Sequence, residues 1–374
     1  MKHTIHSTAW HHSLSLLPLR NLAAVLFLII LFCGCSQRDG THFEHKEKNS
    51  VYYWKTVFVP DSADYVFFRK HDIQRIYMRM FDVSVDTENK ADHAHTYPNA
   101  TMRIPDDTFS QLKDSFPDME YVPVVYITLN ALKDGQVFGI GDLARNIVIR
   151  VKNMCSYNEF THVGGLQLDC DWTQTTEQPF FDLCDSVRAQ IKKLELSWSI
   201  SSTIRLHQLA RRVPPVDYGV LMVYNTGNFN DPDADNSILS EKDAQPYLKY
   251  LEKYPLHLDV AYPTYSWQLL FRDRRFVGLL NGVEVGDTAK FSPRTMNTHI
   301  ALTDIPYRET VIYKGDIIRT EQSDFHTIKS VKELIESYLN DKPHSSILYH
   351  FELKNLLKYS DNEIAYLFNT VPSK

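Results

Sequence analysis

Cysteine is scarce in this 374-residue chain: it has five, and only Cys155, Cys170 and Cys184 lie beyond the first 35 residues. Disulfides therefore cannot be the main support of the fold, although one disulfide among these three and three buried free thiols both fit the sequence. The sequence also lacks the Cys/His spacing of a zinc site, a phosphate-binding P-loop and the nucleophile-elbow motif of serine hydrolases. These absences predict a protein without a metal or cofactor.

Basic tracts are absent as well. The chain has 40 Lys and Arg residues against 46 Asp and Glu residues, a net charge of −6, which argues against a nucleic-acid partner. No apolar run after the first 35 residues is long enough to span a bilayer. Aromatic residues make up 12% of the chain. The roughly 325 residues after position 50 can therefore build one large domain with a sizeable core.

The first 35 residues are organised as an export signal. Lys2 and Arg20 precede the apolar run 22–31, and Phe32-Cys33-Gly34-Cys35 follows it. A basic segment, an apolar segment and a small residue before the cleavage point are the parts of a signal peptide. An uncleaved transmembrane anchor is the alternative, but the apolar run is short for spanning a bilayer.

The Gly-Cys ending of this segment resembles the lipobox of bacterial lipoproteins, with Cys35 as the first residue of the mature chain and the site of lipidation, palmitate included. The resemblance implies an exported protein that is lipid-anchored to a bacterial membrane, on its periplasmic or surface face. Residues 36–50 are polar and unpatterned, as expected of a tether. The folded domain would then occupy residues 51–374, in an oligomeric state that the sequence does not indicate.

Strand and helix patterns alternate along this domain. Eight strands that alternate with helices require a parallel sheet, and a closed (β/α)8 TIM barrel satisfies that requirement. A doubly wound open sheet is the alternative, but no glycine-rich turn of the dinucleotide-binding type follows the first strand. The predicted strands are 51–57, 75–85, 121–128, 162–172, 195–206, 218–225, 257–262 and 347–352, and the predicted helices are 63–70, 106–115, 140–153, 179–193, 243–253 and 327–339.

Residues 272–326 interrupt this alternation. Their apolar and polar residues alternate over short segments, and Lys314-Gly315-Asp316 is a turn sequence. We therefore predict a small β-rich insertion between the seventh strand and its helix.

The run GLQLDCDW, residues 165–172, is the most informative segment of the domain. Because side chains alternate faces along a strand, Gln167, Asp169 and Asp171 are predicted to share one face, with Cys170 on the other. Three polar side chains on one face of a buried strand need partners. The carboxyl end of such a strand is where barrel enzymes place their chemistry. We therefore predict the functional site at Asp169 and Asp171.

GLQLDCDW is similar to the fourth-strand motif D-G-x-D-x-D-x-E of family 18 glycoside hydrolases, with Asp171 at the catalytic glutamate and Gln167 at the first inner acid. Met222-Val223-Tyr224-Asn225 resembles the sixth-strand M-x-Y-D of that family, whose Tyr and Asp contact the substrate's acetamido group, with Asn225 in place of the Asp. LQLDCDWT, TIRLHQL, MVYNTG and AYPTYSW also look like an uncharacterised family of bacterial lipoproteins with a glycosidase-like barrel. The resemblance implies a carbohydrate substrate or ligand.

Glycoside hydrolysis needs a proton donor for the leaving oxygen and a group that attacks or stabilises the anomeric carbon. Asp171, nearest the open end of the strand, is the predicted acid/base, and Asp169 is its orienting neighbour. The two acids share a strand, so the second partner must come from another strand or from the substrate's acetamido group. Glu352, at the end of the eighth predicted strand, is the candidate. The alternative is a structural network in which both Asp residues pair with Arg79 or Arg205.

Further side chains at predicted strand ends could hold a sugar, by hydrogen bonds or by aromatic stacking, although each could equally belong to the core. These substrate-binding candidates are Gln167, Arg79, Arg205, His207, Tyr224, Asn225, Tyr265 and Trp267.

Two further patterns contain potential metal ligands but are too incomplete to predict a metal site. Asp231, Asp233 and Asp235 have the 1,3,5 spacing of a calcium loop, but Asn236 and Lys242 occupy the positions of its glycine and its glutamate. We interpret this segment as a solvated acidic loop over the site. His93 and His95 have no matching third ligand.

These patterns together predict a lipoprotein with a glycoside-hydrolase-like barrel that hydrolyses glycosidic bonds of a polysaccharide or an N-acetylated glycan. A non-catalytic glycan-binding lipoprotein and a structural envelope protein are the alternatives.

Overall fold

The computed structural model describes residues 46–86, 96–340 and 342–369. The predicted signal peptide with Cys35, most of the predicted tether, and His93 and His95 lie outside these residues.

Eight parallel strands form a closed barrel, in the order β1-β16-β8-β7-β6-β5-β4-β2, and β2 returns to pair with β1. The closed (β/α)8 prediction is confirmed, and the open-sheet alternative is wrong. Strand β3 pairs antiparallel with β2 outside the barrel. The strands are β1 (Ser50–Tyr53), β2 (Arg75–Val85), β3 (Thr96–Asn99), β4 (Glu120–Ile127), β5 (Gly165–Asp169), β6 (Ser199–Arg205), β7 (Tyr218–Met222), β8 (Leu258–Pro263) and β16 (Ser346–Tyr349).

Helices connect most of the barrel strands and cover the outside of the barrel. Several begin at a side chain that caps their free N–H groups, such as Asp61 before the helix Ser62–Lys70 and Asp324 before the helix Phe325–Leu339. The connection between β6 and β7 contains only a short 3-10 helix, Leu206–Ala210. The α-helices are α1 (Ser62–Lys70), α2 (Thr108–Ser115), α3 (Leu129–Phe138), α4 (Ile140–Tyr157), α5 (Glu177–Lys193), α6 (Glu241–Leu248), α7 (Phe325–Leu339), α8 (Leu353–Leu356) and α9 (Asp361–Phe368).

Between β8 and α7 the chain forms a five-stranded antiparallel sheet in the order β10-β9-β15-β12-β11, with β13 and β14 as a separate pair. The first of these strands begins at Ser266, earlier than the predicted boundary at 272. The sheet has its own small core, which includes Leu270, Phe291 and Ile318. Its strands are β9 (Ser266–Arg272), β10 (Arg275–Leu280), β11 (Phe291–Pro293), β12 (Thr298–Ala301), β13 (Ile305–Tyr307), β14 (Thr310–Ile312) and β15 (Ile317–Gln322).

Tyrosine side chains fill much of the barrel interior. The rings of Tyr52 and Tyr77 stack with centroids 4.7 Å apart, and the Tyr77 and Tyr218 hydroxyls lie 3.3 Å apart. Tyr52 donates a 2.6 Å hydrogen bond to Gln167 Oε1. The interior is therefore packed up to the level of Gln167, and any ligand must bind above it.

Cys155, Cys170 and Cys184 are buried free thiols. Within the described ranges, no helix is both long enough and apolar enough to cross a bilayer.

Candidate active site

Asp169 and Asp171 lie where β5 ends. Asp169 is the last residue of the strand, and Asp171 lies two residues beyond it, in the loop rather than in the strand as predicted. The Asp169 side chain is 1% exposed, whereas that of Asp171 is 47% exposed. Asp169 is thus the deeper carboxylate and Asp171 the accessible one.

Arg205, the last residue of β6, connects both carboxylates. Its Nε donates to Asp171 Oδ1 over 2.5 Å, and its Nη2 donates to Asp169 Oδ1 over 3.1 Å. Its Nη1 donates to the Tyr224 hydroxyl over 2.9 Å. One guanidinium therefore fixes the two acids and the tyrosine in a single arrangement.

The protonation of Asp169 depends on its surroundings. Burial raises the pKa of Asp169, and the nearby charge of Asp171 adds to the rise. The charge of Arg205 and a 2.6 Å hydrogen bond from Thr203 Oγ1 lower the pKa of Asp169, but they do not cancel the rise. The deep carboxyl thus holds a proton more readily than an ordinary aspartate does.

A pocket of about 480 Å³ opens above these acids at the carboxyl ends of the strands. Its lining combines charged side chains and aromatic rings with the Asn225 amide. His207, which is exposed, also belongs to the lining. Planar apolar rings beside groups that form hydrogen bonds suit a sugar, which has both kinds of surface. The lining consists of Trp54, Arg79, Asp82, Tyr126, Asp169, Asp171, Arg205, Leu206, His207, Met222, Tyr224, Asn225, Thr226, Tyr247 and Tyr349.

Tyr224 and Asn225 follow β7 and form one wall of the pocket. The Tyr224 ring stacks on Tyr349, with centroids 4.3 Å apart, and Tyr265 donates a 2.8 Å hydrogen bond to Asn225 Oδ1. Asn225 has a φ of 53°, in the left-handed region that asparagine tolerates better than most residues. Asparagine is therefore among the residues that suit this backbone conformation.

Three predicted binding residues do not line the pocket. Gln167 is fully buried beneath it, bonded to Tyr52 and, over 3.4 Å, to Ser201. Tyr265 is 8% exposed and supports Asn225 from behind. Trp267 belongs to β9, where its Nε1 donates to Glu321 over 2.6 Å. These side chains support the site from outside it.

Glu352 also lies outside the pocket lining. Strand β16 ends at Tyr349, so Glu352 falls in the turn that caps α8. Its carboxylate pairs with Lys55 at 3.2 Å and with Lys354 at 3.0 Å. Burial alone would raise the pKa of Glu352, but the two lysines outweigh burial and lower it. The structure does not bring this predicted partner to Asp171.

Arg79 reaches the pocket but pairs with neither Asp169 nor Asp171. Its Nε donates to Asp82 Oδ1 over 2.8 Å, and its guanidinium lies over the Trp54 ring, 5.4 Å from the centroid. The predicted network of both acids is therefore formed with Arg205 alone.

His207 follows Arg205 in the 3-10 helix. Burial lowers the pKa of His207, while a hydrogen bond with the Trp172 backbone and the charge of Asp171 oppose this effect. A neutral imidazole beside Asp171 can accept a proton.

Several pocket residues were missed by the sequence analysis. Trp54 was assigned to the first strand but follows its end, and Tyr126 faces the pocket from β4. Asp82 is the most consequential omission, because it is a third carboxylate in the pocket. The exposed Tyr247 on α6 gave no sequence signal at all.

The acidic loop is held by arginines. Asp233 pairs with Arg274 and Arg294, and its pKa is lowered chiefly by the hydrogen bonds from these two side chains. The part of the chain that the structure describes contains no cluster of three or more potential metal ligands.

No protein-family model matches the sequence. No curated protein matches it either. Solved structures do resemble it. The cell-surface chitinase ChiW of Paenibacillus sp. superposes with a TM-score of 0.51 at 12% identity, over 86% of this chain and 32% of that one. The chain has a chitinase-like (β/α)8 barrel.

Two further structures are similar at lower scores. A chitinase of Chromobacterium violaceum has a TM-score of 0.46 at 11% identity, over 81% of this chain and 93% of that one. A family 18 N-acetylglucosaminidase of Paenibacillus barengoltzii has a TM-score of 0.46 at 9% identity, over 86% of this chain and all of that one.

Proposed function

We propose that this protein hydrolyses glycosidic bonds of a polysaccharide or an N-acetylated glycan, with Asp171 as the acid/base. The observation that carries the proposal is the half-exposed Asp171 carboxylate in an open pocket lined by tryptophan and tyrosine rings. A closed ionic network, as in a structural envelope protein, would leave no such opening.

Five side chains of the pocket have a role in this proposal. Asp171 donates a proton to the leaving oxygen, Asp169 orients it through Arg205, and Tyr224 and Asn225 hold the substrate. To carry a proton, Asp171 must first give up its ion pair with Arg205. Substrate hydroxyls that enter the pocket can replace that contact, because both side chains face the opening.

The Arg205–Asp171 pair also favours a second candidate, a non-catalytic glycan-binding protein. If the pair persists with ligand bound, Asp171 stays an acceptor and the pocket binds sugar without cleaving it.

Asp171→Asn distinguishes the two functions. Reducing-end release from a panel of bacterial, host and plant polysaccharides should fall roughly 10²–10⁴-fold in an enzyme, the usual contribution of a general acid. Glycan binding by Asp171→Asn, measured by calorimetry, should persist. Asp361→Asn, which removes a surface carboxylate paired with Lys70, is the control and should retain full activity. Binding without release by the native protein would establish the second candidate.

We also propose that Cys35 is lipidated and anchors the protein to a bacterial membrane. The support is the sequence 22–35 alone. Cys35→Ser should abolish incorporation of labelled palmitate and move the protein out of the membrane fraction, whereas Cys33→Ser should do neither. Labelling that survives in Cys35→Ser would exclude this anchor.

A further inference from the structure

We propose that Asp82 is the second catalytic carboxylate of this site, acting as the general base that activates water. The substrate then needs no 2-acetamido group. This inference rests on the proposed glycan hydrolysis and names the partner of Asp171 that Glu352 does not supply.

A β-bulge places Asp82 in the pocket. In a regular strand, residues three apart face opposite sides, so Arg79 and Asp82 would be separated. The pairing of β2 with β4 shifts between Arg79 and Phe81, and the Met80 carbonyl accepts a hydrogen bond from Met102 N instead, 2.8 Å long. Both Arg79 and Asp82 consequently line the pocket. Bulges next to functional sites often redirect a side chain in this way.

The strand register places Asp82 at the level of Asp169, two strands away in the barrel. Asp82 pairs with Tyr126 across β2 and β4, and Tyr126 pairs with Asp169 across β4 and β5. Two strand spacings separate the Cα atoms of Asp82 and Asp169 by on the order of 10 Å. Inverting glycosidases hold their two carboxyl groups roughly 6.5–9.5 Å apart, with a water beside the base. Asp171, the proposed acid, follows Asp169 by two residues and lines the same pocket as Asp82, so the carboxyl groups of Asp171 and Asp82 can meet that spacing.

The contacts of Asp82 suit a base better than an acid. Arg79 binds both of its oxygens, Oδ1 through Nε and Oδ2 through Nη2. A carboxylate that is ion-paired with a guanidinium carries no proton to give to a leaving group, so these contacts do not suit the acid role. The guanidinium holds both oxygens in place, and each oxygen keeps a further lone pair that can accept a water proton.

The proposed step balances as a hydrolysis. Asp171 gives its proton to the glycosidic oxygen, and the bond from that oxygen to the anomeric carbon breaks with its electron pair staying on the oxygen. The oxygen of a water molecule forms the new bond to the anomeric carbon, and a proton of that water passes to Asp82. Return of a proton from Asp82 to Asp171 through solvent restores the site. The product has inverted configuration at the anomeric carbon.

The test uses the full chain and a panel of neutral glycans that includes β-1,4-linked glucose and β-1,4-linked N-acetylglucosamine oligomers, which differ at carbon 2. We expect release from at least one glycan with a 2-hydroxyl, and proton NMR of the first product should show inversion. Asp82→Asn should lower kcat roughly 10²–10⁴-fold. Asp142→Asn is the matched control, because Asp142 also pairs with an arginine three residues away, at the surface.

Three results would overturn the inference and leave the proposed hydrolysis standing: release confined to 2-acetamido glycans, a product of retained configuration, or Asp82→Asn activity within about threefold of the native value. The first two need no variant, so they hold even if Asp82→Asn does not fold. Absence of release from every glycan by the native protein would overturn both proposals.

Discussion

Arg205 is the single residue on which the chemistry of the pocket depends most. It holds Asp169, Asp171 and Tyr224 together through three separate nitrogen atoms. Lysine could not reproduce this arrangement, because an ammonium lacks the fixed fork of a guanidinium. The same contacts that preorganise the acids keep Asp171 from donating a proton. The proposed hydrolysis therefore requires that substrate entry change the Arg205 contacts first.

Asp169→Asn should flatten the pH dependence of stability. The folded pKa of Asp169 is raised, so the folded state binds more protons than the unfolded state, and this residue lowers stability as pH rises from about 3.8 through its folded pKa. Asparagine cannot ionise, so the variant should not show this decrease in stability with rising pH. Urea unfolding of both proteins between pH 4 and pH 8 measures it. Parallel stability curves would contradict the raised pKa.

Residue alternation predicted the inward-facing Gln167 and Asp169 of β5 and missed Asp82 for one physical reason. Gln167 and Asp169 lie on a regular strand, where alternation holds. Asp82 follows a bulge, which shifts the alternation by one position and leaves no mark in a single sequence. The predicted strand end at Glu352 differs from the structure for another reason, since a polar residue after an apolar run does not show where hydrogen bonding of the strand stops.

At the scale of elements, strand β15 of the antiparallel sheet forms hydrogen bonds with the loop that follows β7. Glu321 and Arg319 form an ion pair 2.6 Å long between side chains with no exposure. Glu321 also accepts hydrogen bonds from Ser237 N, at 2.9 Å, and from Trp267 Nε1, at 2.6 Å. Within the loop, Asn225 N donates to Ile238 O over 2.7 Å. The sheet thus helps to fix the pocket wall at Asn225.

Glu321→Ala should destabilise the protein by about 3–5 kcal/mol, because it leaves the Arg319 charge buried without its partner. Replacement of both residues by methionine should cost less than the single change, since no charge is then stranded. Urea unfolding measures the stability, and glycan binding by calorimetry should weaken in Glu321→Ala. Asp142→Ala, which breaks a surface pair, should cost only about 0.2–1 kcal/mol. A loss of stability in Glu321→Ala that is no larger than that in Asp142→Ala would contradict the role given to the buried ion pair.

The predicted elements differ from the structure mainly at their ends. Strand β2 was predicted with both ends correct, because its pattern is long, whereas β5 is shorter than predicted by three residues at each end. The 3-10 helix after β6 and the antiparallel strand β3 were missed, since neither has a long periodic pattern.

At the scale of the whole molecule, the barrel closes where β1 pairs with β16, and both strands are only four residues long. Ser50 and Val51 pair with Ile347 and Leu348 on one side and with β2 on the other. The Tyr52 ring stacks on Tyr77 in the barrel interior, and the Tyr53 ring packs against Phe58. Without β1 the barrel would have two open edges, which are prone to pairing with other chains.

Two deletions test this dependence. Removal of residues 1–45 should leave the cooperative unfolding of the domain unchanged, because every strand and helix described above lies after residue 45. Removal of residues 1–53 deletes β1, opens the edges of β2 and β16 and exposes the ring of Tyr349, which packs against Tyr52 with centroids 5.4 Å apart. We expect that protein to aggregate or to unfold without cooperativity in urea. Equal unfolding midpoints for the two deletions would show that β1 is dispensable and that seven strands hold the pocket open.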